Sequence, residues 1–245
     1  MFRFIIRGRN CEKYIDDCFI ALQTQTRRDW CALVLIDPST DKTEQNVMNW
    51  TIAQPRIKAI FNSEHYGVCR NMYQGLSKIG SASEHIRAAN DDDIIVILDL
   101  DDYLYRNNSL EVVWDYYIQH PGTMATYGSF RFKEGFQKSP LCQPYPKNAE
   151  PRKYKWMASH LKTFKYSVVK HIPQEYFMHN GEWGKAASDL ALMFCVMEIV
   201  GMNRVGYIRN STYYYRNNTE NSMKHKLQKE WESVWRQKIP LKRQF

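Results

Sequence analysis

No stretch of the 245 residues approaches the roughly 20 consecutive apolar residues that span a bilayer. The first apolar run, Phe4-Ile5-Ile6, is also far shorter than the core of a secretory signal peptide. The two absences argue against membrane spanning and secretion, and the expected compartment is the cytoplasm. Cysteine is sparse and unpatterned: Cys11, Cys18, Cys31, Cys69, Cys142 and Cys195 form no C-x-x-C pair. Most sit in apolar stretches such as Cys31-Ala-Leu-Val-Leu-Ile, which reads as buried free thiols in a reducing environment rather than disulfides. No repeat, low-complexity tract or linker divides the chain, so residues 1–245 are expected to form one domain. Acidic charge is in the minority, 26 Asp and Glu against 34 Lys and Arg, a net +8 that favours anionic partners: nucleic acid, nucleotide phosphates or an acidic membrane surface. An apolar content of 44%, with 16 Tyr, 11 Phe and 7 Trp, excludes a disordered chain.

What is present is an alternation of strand and helix patterns. Phe2 to Ile6 reads as a strand, and Tyr14, Ile15, Cys18, Phe19 and Leu22 fall on one helical face behind it, with Asn10 as a plausible cap. Residues 31 to 36 form a second strand; Asp41 and Glu44 then resemble a capping box. Ile57 to Phe61, a helical face through Val68, Met72, Leu76 and Ile79, and Ile94 to Leu98 complete a β-α-β-α-β-α-β order. Such an order implies an α/β fold with a mostly parallel central sheet flanked by helices, with ligands beyond the carboxyl ends of its strands. Beyond residue 103 the pattern loosens into a helix around Leu110, strands within Thr123 to Phe132, a buried helix from Ser188 to Val200, a strand at Tyr213 to Tyr215 and a basic helical tail. Residues 1–102 are the regular half expected to hold a ligand, 103–222 a smaller, antiparallel half, and 223–245 the tail, a candidate for peripheral membrane contact.

Six aspartates lie between residues 91 and 102. Asp91 to Asp93 precede the fourth strand and read as a solvated turn. Asp99 and Asp101 stand two apart at its far end, where period-2 alternation would point both carboxylates to one side. Two such carboxylates supply part of the oxygen shell of Mg²⁺ or Mn²⁺, leaving positions for water and phosphate.

Several segments together resemble the family-two, GT-A-fold inverting glycosyltransferases: Phe4-Ile5-Ile6-Arg7-Gly8-Arg9-Asn10, Val34-Leu35-Ile36-Asp37-Pro38-Ser39-Thr40-Asp41, Gly67-Val-Cys-Arg70-Asn71, Leu98-Asp99-Leu100-Asp101-Asp102, Ser188-Asp189-Leu-Ala-Leu192 and Tyr214-Tyr215-Arg216. They occur in family order. The resemblance implies a GT-A fold, a nucleotide-sugar donor with a uridine base favoured, and a hydroxyl acceptor on a glycan, lipid-linked molecule or protein. It implies that Asp37 accepts a hydrogen bond from the base and that Arg70, with Asn71, lies against the base or its phosphates. Asp99 would hold the ribose, Asp101 and Asp99 the metal, and Asp189 would be the general base. Arg7, Gly8, Asn10 and Asp102 would complete the donor contacts. Three departures stand out: Arg7-Gly8-Arg9 brings two cations to the nucleotide, Ser188 replaces one acid of an acid pair, and Asn218 stands where many relatives carry a metal-binding histidine.

Two other classes compete. Asp pairs at strand ends also serve metal-dependent phosphatases and nucleases. Arg152, Lys153, Lys155, Lys162 and Lys165, interleaved with Tyr154, Trp156 and Phe164, resemble a nucleic-acid-binding surface, although the aspartate cluster would repel a phosphate backbone. The same segment, with Trp183, is the expected acceptor side. His160, in Ser-His-Leu-Lys-Thr-Phe, reads equally as a surface residue or as a phosphate or acceptor contact.

Overall fold

The computed structural model describes residues 1–132, 142–216 and 225–245. In chain order the elements are β1 (Phe2–Gly8), α1 (Ile15–Gln23), β2 (Trp30–Ile36), α2 (Thr43–Ala53), β3 (Ile57–Phe61), α3 (Gly67–Lys78), β4 (Ile94–Asp99) and β5 (Tyr103–Leu104). They continue with α4 (Ser109–Gln119), β6 (Ala125–Arg131), β7 (Lys162–Lys165), β8 (Met178–His179), β9 (Glu182–Trp183), α5 (Ser188–Val200), β10 (Val205–Tyr214) and α6 (His225–Gln237). The main sheet runs β3-β2-β1-β4-β7-β6-β10-β5, and β8 and β9 form a separate hairpin. β3, β2, β1 and β4 are parallel; β7 runs antiparallel between β4 and β6, and β5 antiparallel beside β10. The expected mostly parallel sheet with a small antiparallel portion is present.

Side-chain alternation along the central strands divides the core. Ile5, Leu35, Ile95 and Ile97 face α3 and α5, whereas Phe4, Ile6, Val34, Val96 and Leu98 face α1 and α4. Every residue of α5 except Asp189 and Glu198 is buried, as its all-round apolar sequence predicts. All six cysteines are free and buried. The tail is not an appendage: α6 sinks Trp235 completely into the core beside Trp231, and Arg236 donates to the carbonyls of Arg152 and Tyr154. The Asp41–Glu44 pair also works out of the expected frame. α2 begins at Thr43, whose N–H donates to Asp41, while Glu44 accepts from the Ser39 N–H.

One expectation fails at the amino end of β4. Asp93 is not solvated; it is 1% exposed and accepts from Arg3 Nε at 2.7 Å, from the amino terminus at 3.1 Å and from Arg87. The cause is Arg3, a fully buried cation on β1 whose other donors reach the carbonyls of Ile79 and Arg87. A buried guanidinium needs a buried counter-charge, and β4 supplies it from the strand alongside. Burial alone would raise the Asp93 carboxyl, but its bonds to Arg87, Arg3 and the amino terminus outweigh that and hold it below the ordinary carboxylate range.

Removing one partner of such a pair leaves an uncompensated charge, so Asp93→Ala should lose about 3–5 kcal/mol of stability. Urea titrations check this, and the double variant Arg3→Met/Asp93→Leu should recover most of the loss. Because the folded-state value is depressed, the contribution is present above the unfolded carboxylate range and fades as pH falls through the folded value. The gap between wild type and Asp93→Ala should therefore shrink below about pH 4.

Candidate active site

The carboxyl ends of β1 and β4 meet the amino end of α5, and three charged side chains converge there. Arg7, 8% exposed at the end of β1, donates to Asp99 Oδ1 at 2.5 Å, to Ser188 Oγ at 2.8 Å and to the Val68 carbonyl at 3.2 Å, and lies 3.7 Å from Asp189 Oδ1. Burial disfavours the Arg7 charge, but Asp99 and Asp189 outweigh it and raise its pKa. Asp189 is held from the other side by Lys162 of β7, whose Nζ is 2.6 Å from Oδ2. Desolvation would raise the Asp189 carboxyl, yet the charges of Lys162 and Arg7 pull it far below the ordinary value, so it is ionised across the physiological range. Asp189 stands in the first turn of α5, Ala187 occupies the cap position, and Ser188 Oγ accepts from Arg7.

The residues expected on the donor side are tied closely to the scaffold. Asp37, 3% exposed at the end of β2, accepts from Asn62 Nδ2 at 2.9 Å and from the N–H groups of Tyr66 at 3.1 Å and Gly67 at 2.9 Å. Desolvation would raise its carboxyl, but bonds from Asn71, Asn62, Gly67 and Tyr66 bring it below the usual range. Asp37 therefore anchors the start of α3, where Gly67 takes the left-handed φ of +71°. Asn71 is buried, with its oxygen on Asn62, whereas Arg70 faces outward over the Tyr66 ring at 3.4 Å and pairs with Glu64 at 2.9 Å. Gly8 has a packing role: a Cβ there would stand 2.5 Å from the Leu100 side chain. Asn10 accepts from the Thr40 N–H at 2.9 Å, joining the loops after β1 and β2.

The strand-end acids separate into three environments. β4 stops at Asp99, so strand alternation does not align Asp101 with it; Asp101 lies in the following turn. Asp99 remains 30% exposed. Asp102, by contrast, is 2% exposed and accepts from Tyr213 Oη at 2.6 Å and the Arg216 N–H at 2.7 Å, so it fastens the end of β10 to the end of β4 instead of facing a ligand. Burial, then the charges of Asp101 and Asp99, push its carboxyl well above the ordinary value. Among the described residues no three His, Cys, Asp or Glu side chains converge on a metal position. Among the described residues this end of the sheet offers Asp99 and Asp101, a pair that suits Mg²⁺ or Mn²⁺ held jointly with a diphosphate. Asn218 lies outside the described residues. Among those described, Arg7 Nε is a buried donor with no acceptor inside the protein.

The basic aromatic segment does not form one surface. Arg152 is buried in a 2.6 Å pair with Glu198, Lys162 faces Asp189, and Lys165 reaches Asp92 at the opposite end of β4. Strand β7 carries its lysines to both ends of the sheet, which removes the continuous cationic face that motivated a nucleic-acid reading. Lys162 is the charged side chain that the linear pattern did not place beside Asp189. Its signal is a lysine sharing a strand face with Phe164.

A sequence model described as glycosyl transferase family 2 matches residues 4–177. The chain belongs to that family. Asp189 lies beyond the matched span. No curated protein matches the chain. Among solved structures, S. aureus TarS superposes with a TM-score of 0.69 at 16% identity, over 96% of this chain and 66% of that one. The mannosyltransferase PcManGT from Pyrobaculum calidifontis gives 0.60 at 16%, over 90% and 58%, and glucosyl-3-phosphoglycerate synthase from Mycobacterium tuberculosis gives 0.57 at 13%, over 97% and 76%. The chain spans only 36% to 66% of the TarS chains that it matches. Likeness at these identities concerns the fold.

Asp102→Ala in this family-two domain leaves the Tyr213 hydroxyl and the Arg216 N–H without an acceptor, at about 1–3 kcal/mol for each group left unsatisfied. Asp102→Asn keeps one acceptor and cannot ionise beside Asp99 and Asp101. Denaturation midpoints should place Asn close to wild type and Ala clearly below both.

Proposed function

We propose that this domain transfers a sugar from a nucleoside-diphosphate donor to a hydroxyl acceptor with inversion at the anomeric carbon. One observation carries the reading: Arg7 touches Asp99 and approaches Asp189, so acids from two segments about 90 residues apart share one cleft with a fixed cation between them. Family membership supports sugar transfer, and the solved relatives include TarS with UDP-GlcNAc, glucosyl-3-phosphoglycerate synthase with Mn²⁺ and UDP-Glc, and PcManGT with GDP-Man and Mn²⁺. A uridine donor is therefore the first choice and guanosine the second.

In this reading the base lies beside the loop from Asn62 to Tyr66, which Asp37 and Asn71 brace, with Arg70 at its rim. Asp99 holds the ribose. Asp101, with Asp99 beside it, would hold Mg²⁺ or Mn²⁺ together with the diphosphate, and a bound cation of this kind offsets charge on the leaving group. Arg7 supplies a second, permanent positive charge beside Asp99. Asp189, kept ionised by Lys162 and Arg7, takes the acceptor proton as the hydroxyl oxygen attacks.

A thermal-shift series with UDP and GDP, with and without Mg²⁺, tests the donor side. Binding to the folded state should raise the midpoint, and Asp101→Ala should remove the metal-dependent part of the rise. Asp189→Asn should bind the nucleotide as wild type does while turnover falls about 10²- to 10⁴-fold. Absence of any response to either nucleotide, together with tight, salt-sensitive binding to random DNA, would reject the transferase reading.

A further inference from the structure

Lys162 is 1% exposed, and its ammonium has two neighbours, Asp189 Oδ2 at 2.6 Å and His160 Nδ1 at 3.1 Å. An ammonium only donates, so Nδ1 accepts and a neutral imidazole must carry its proton on Nε2. The ring is held between aromatic neighbours: it stacks on Tyr213 at 4.3 Å and Tyr215 at 5.4 Å and meets Phe130 edge-on at 5.5 Å. Burial, with Lys162 alongside, keeps His160 well below its ordinary value, so it stays neutral and does not compete for Asp189. β7 itself is clamped between β4 and β6, with Thr163 bonded to Tyr117 and Thr126 across the sheet. The ammonium thus has a fixed position.

We propose that Lys162 is a positioning residue for the transfer step: it binds Oδ2 of Asp189 and leaves Oδ1, on the Arg7 side, as the oxygen that receives the acceptor proton. This rests on the reading of Asp189 as the base. In the step the acceptor O–H bond breaks and its proton goes to Oδ1. The hydroxyl oxygen bonds to the anomeric carbon as the bond from that carbon to the diphosphate oxygen breaks, its electron pair leaving with the diphosphate. A carboxylate free to rotate would present either oxygen at any angle, and alignment is worth orders of magnitude in rate. The groups facing Asp189 come from every neighbouring element: Lys162 of β7 and His160 before it, Arg7 of β1, Cys69 of α3, and Tyr215 beyond β10, with Asp99 of β4 on the far side of Arg7. Of these only Lys162 and Arg7 are cations at neutral pH, and Arg7 is shared with Asp99.

The test compares wild type with Lys162→Met and Lys162→Arg. The carboxyl of Asp189 is titrated by carbon NMR in aspartate-labelled protein without substrate, its signal assigned by its loss in Asp189→Asn. The pH profile of nucleoside diphosphate release is measured with UDP-GlcNAc and GDP-Man. In Lys162→Met the carboxyl midpoint should rise by about one pH unit or more, the acid limb of kcat should rise with it, and kcat at neutral pH should fall at least tenfold with little change in donor KM. Lys162→Arg should keep the low midpoint and recover part of kcat; it also carries the comparison if the Met variant does not fold. An unmoved carboxyl midpoint in the Met variant overturns the proposal while leaving Asp189 as the base. A midpoint that moves with no change in rate or acid limb overturns it by removing Asp189 from the base role.

Discussion

Arg7 sits at the end of the central strand β1, beside β4 and beneath the first turn of α5, where it is almost wholly withdrawn from solvent. A guanidinium so placed is tolerable only if acids attend it, and Asp99 and Asp189 both approach its Nη2. The requirement runs both ways. Asp189 would be costly in its half-enclosed position without Arg7 and Lys162, and Lys162, 1% exposed on β7, would be costlier still without Asp189. The alternating row of charges Lys162, Asp189, Arg7, Asp99 therefore holds β7, α5, β1 and β4 in register at the end of the sheet where a ligand would bind.

A second charged cluster, Arg3 with Asp93, occupies the opposite end of the same two strands. β1 thus carries a buried arginine near each end; Asp99 is the register partner of Arg7, and Asp93, just before β4, lies two positions from Ile95, the register partner of Arg3. The two pairs differ in what surrounds them. Asp93 is closed off by the amino terminus and Arg87, and all its partners are internal. Asp99 is 30% exposed, so the Arg7 cluster is open to solvent and the Arg3 cluster is not.

Around the open cluster, most polar residues are occupied with holding the loops. Asp37 fastens the start of α3, Asn10 joins two loops, and Asp102 fastens the end of β10. Bracing of this kind orients the few groups that face the cleft, because a side chain whose backbone is fixed by several bonds loses little freedom when a ligand arrives.

Local pattern was enough for the strand and helix order of the first hundred residues, for the buried character of α5, and for the thiol state of all six cysteines, because periodicity and apolar content are properties of short segments. It was also enough to single out Asp99 at its strand end, whereas Asp189 and Arg7 were singled out by the resemblance to the family. Local pattern was not enough for the insertion of β7 between β4 and β6, a pairing of strands more than sixty residues apart that sends Lys162 to one end of the sheet and Lys165 to the other. Nor did it distinguish Asp93 from a solvated turn or Asp102 from a ligand contact, since burial and partner identity depend on which distant strand lies alongside. Charges of one sign look alike in a sequence. Only the tertiary structure decides which are paired, because a pair between distant segments forms only when packing brings them within a few ångströms and excludes the water that would otherwise solvate each alone.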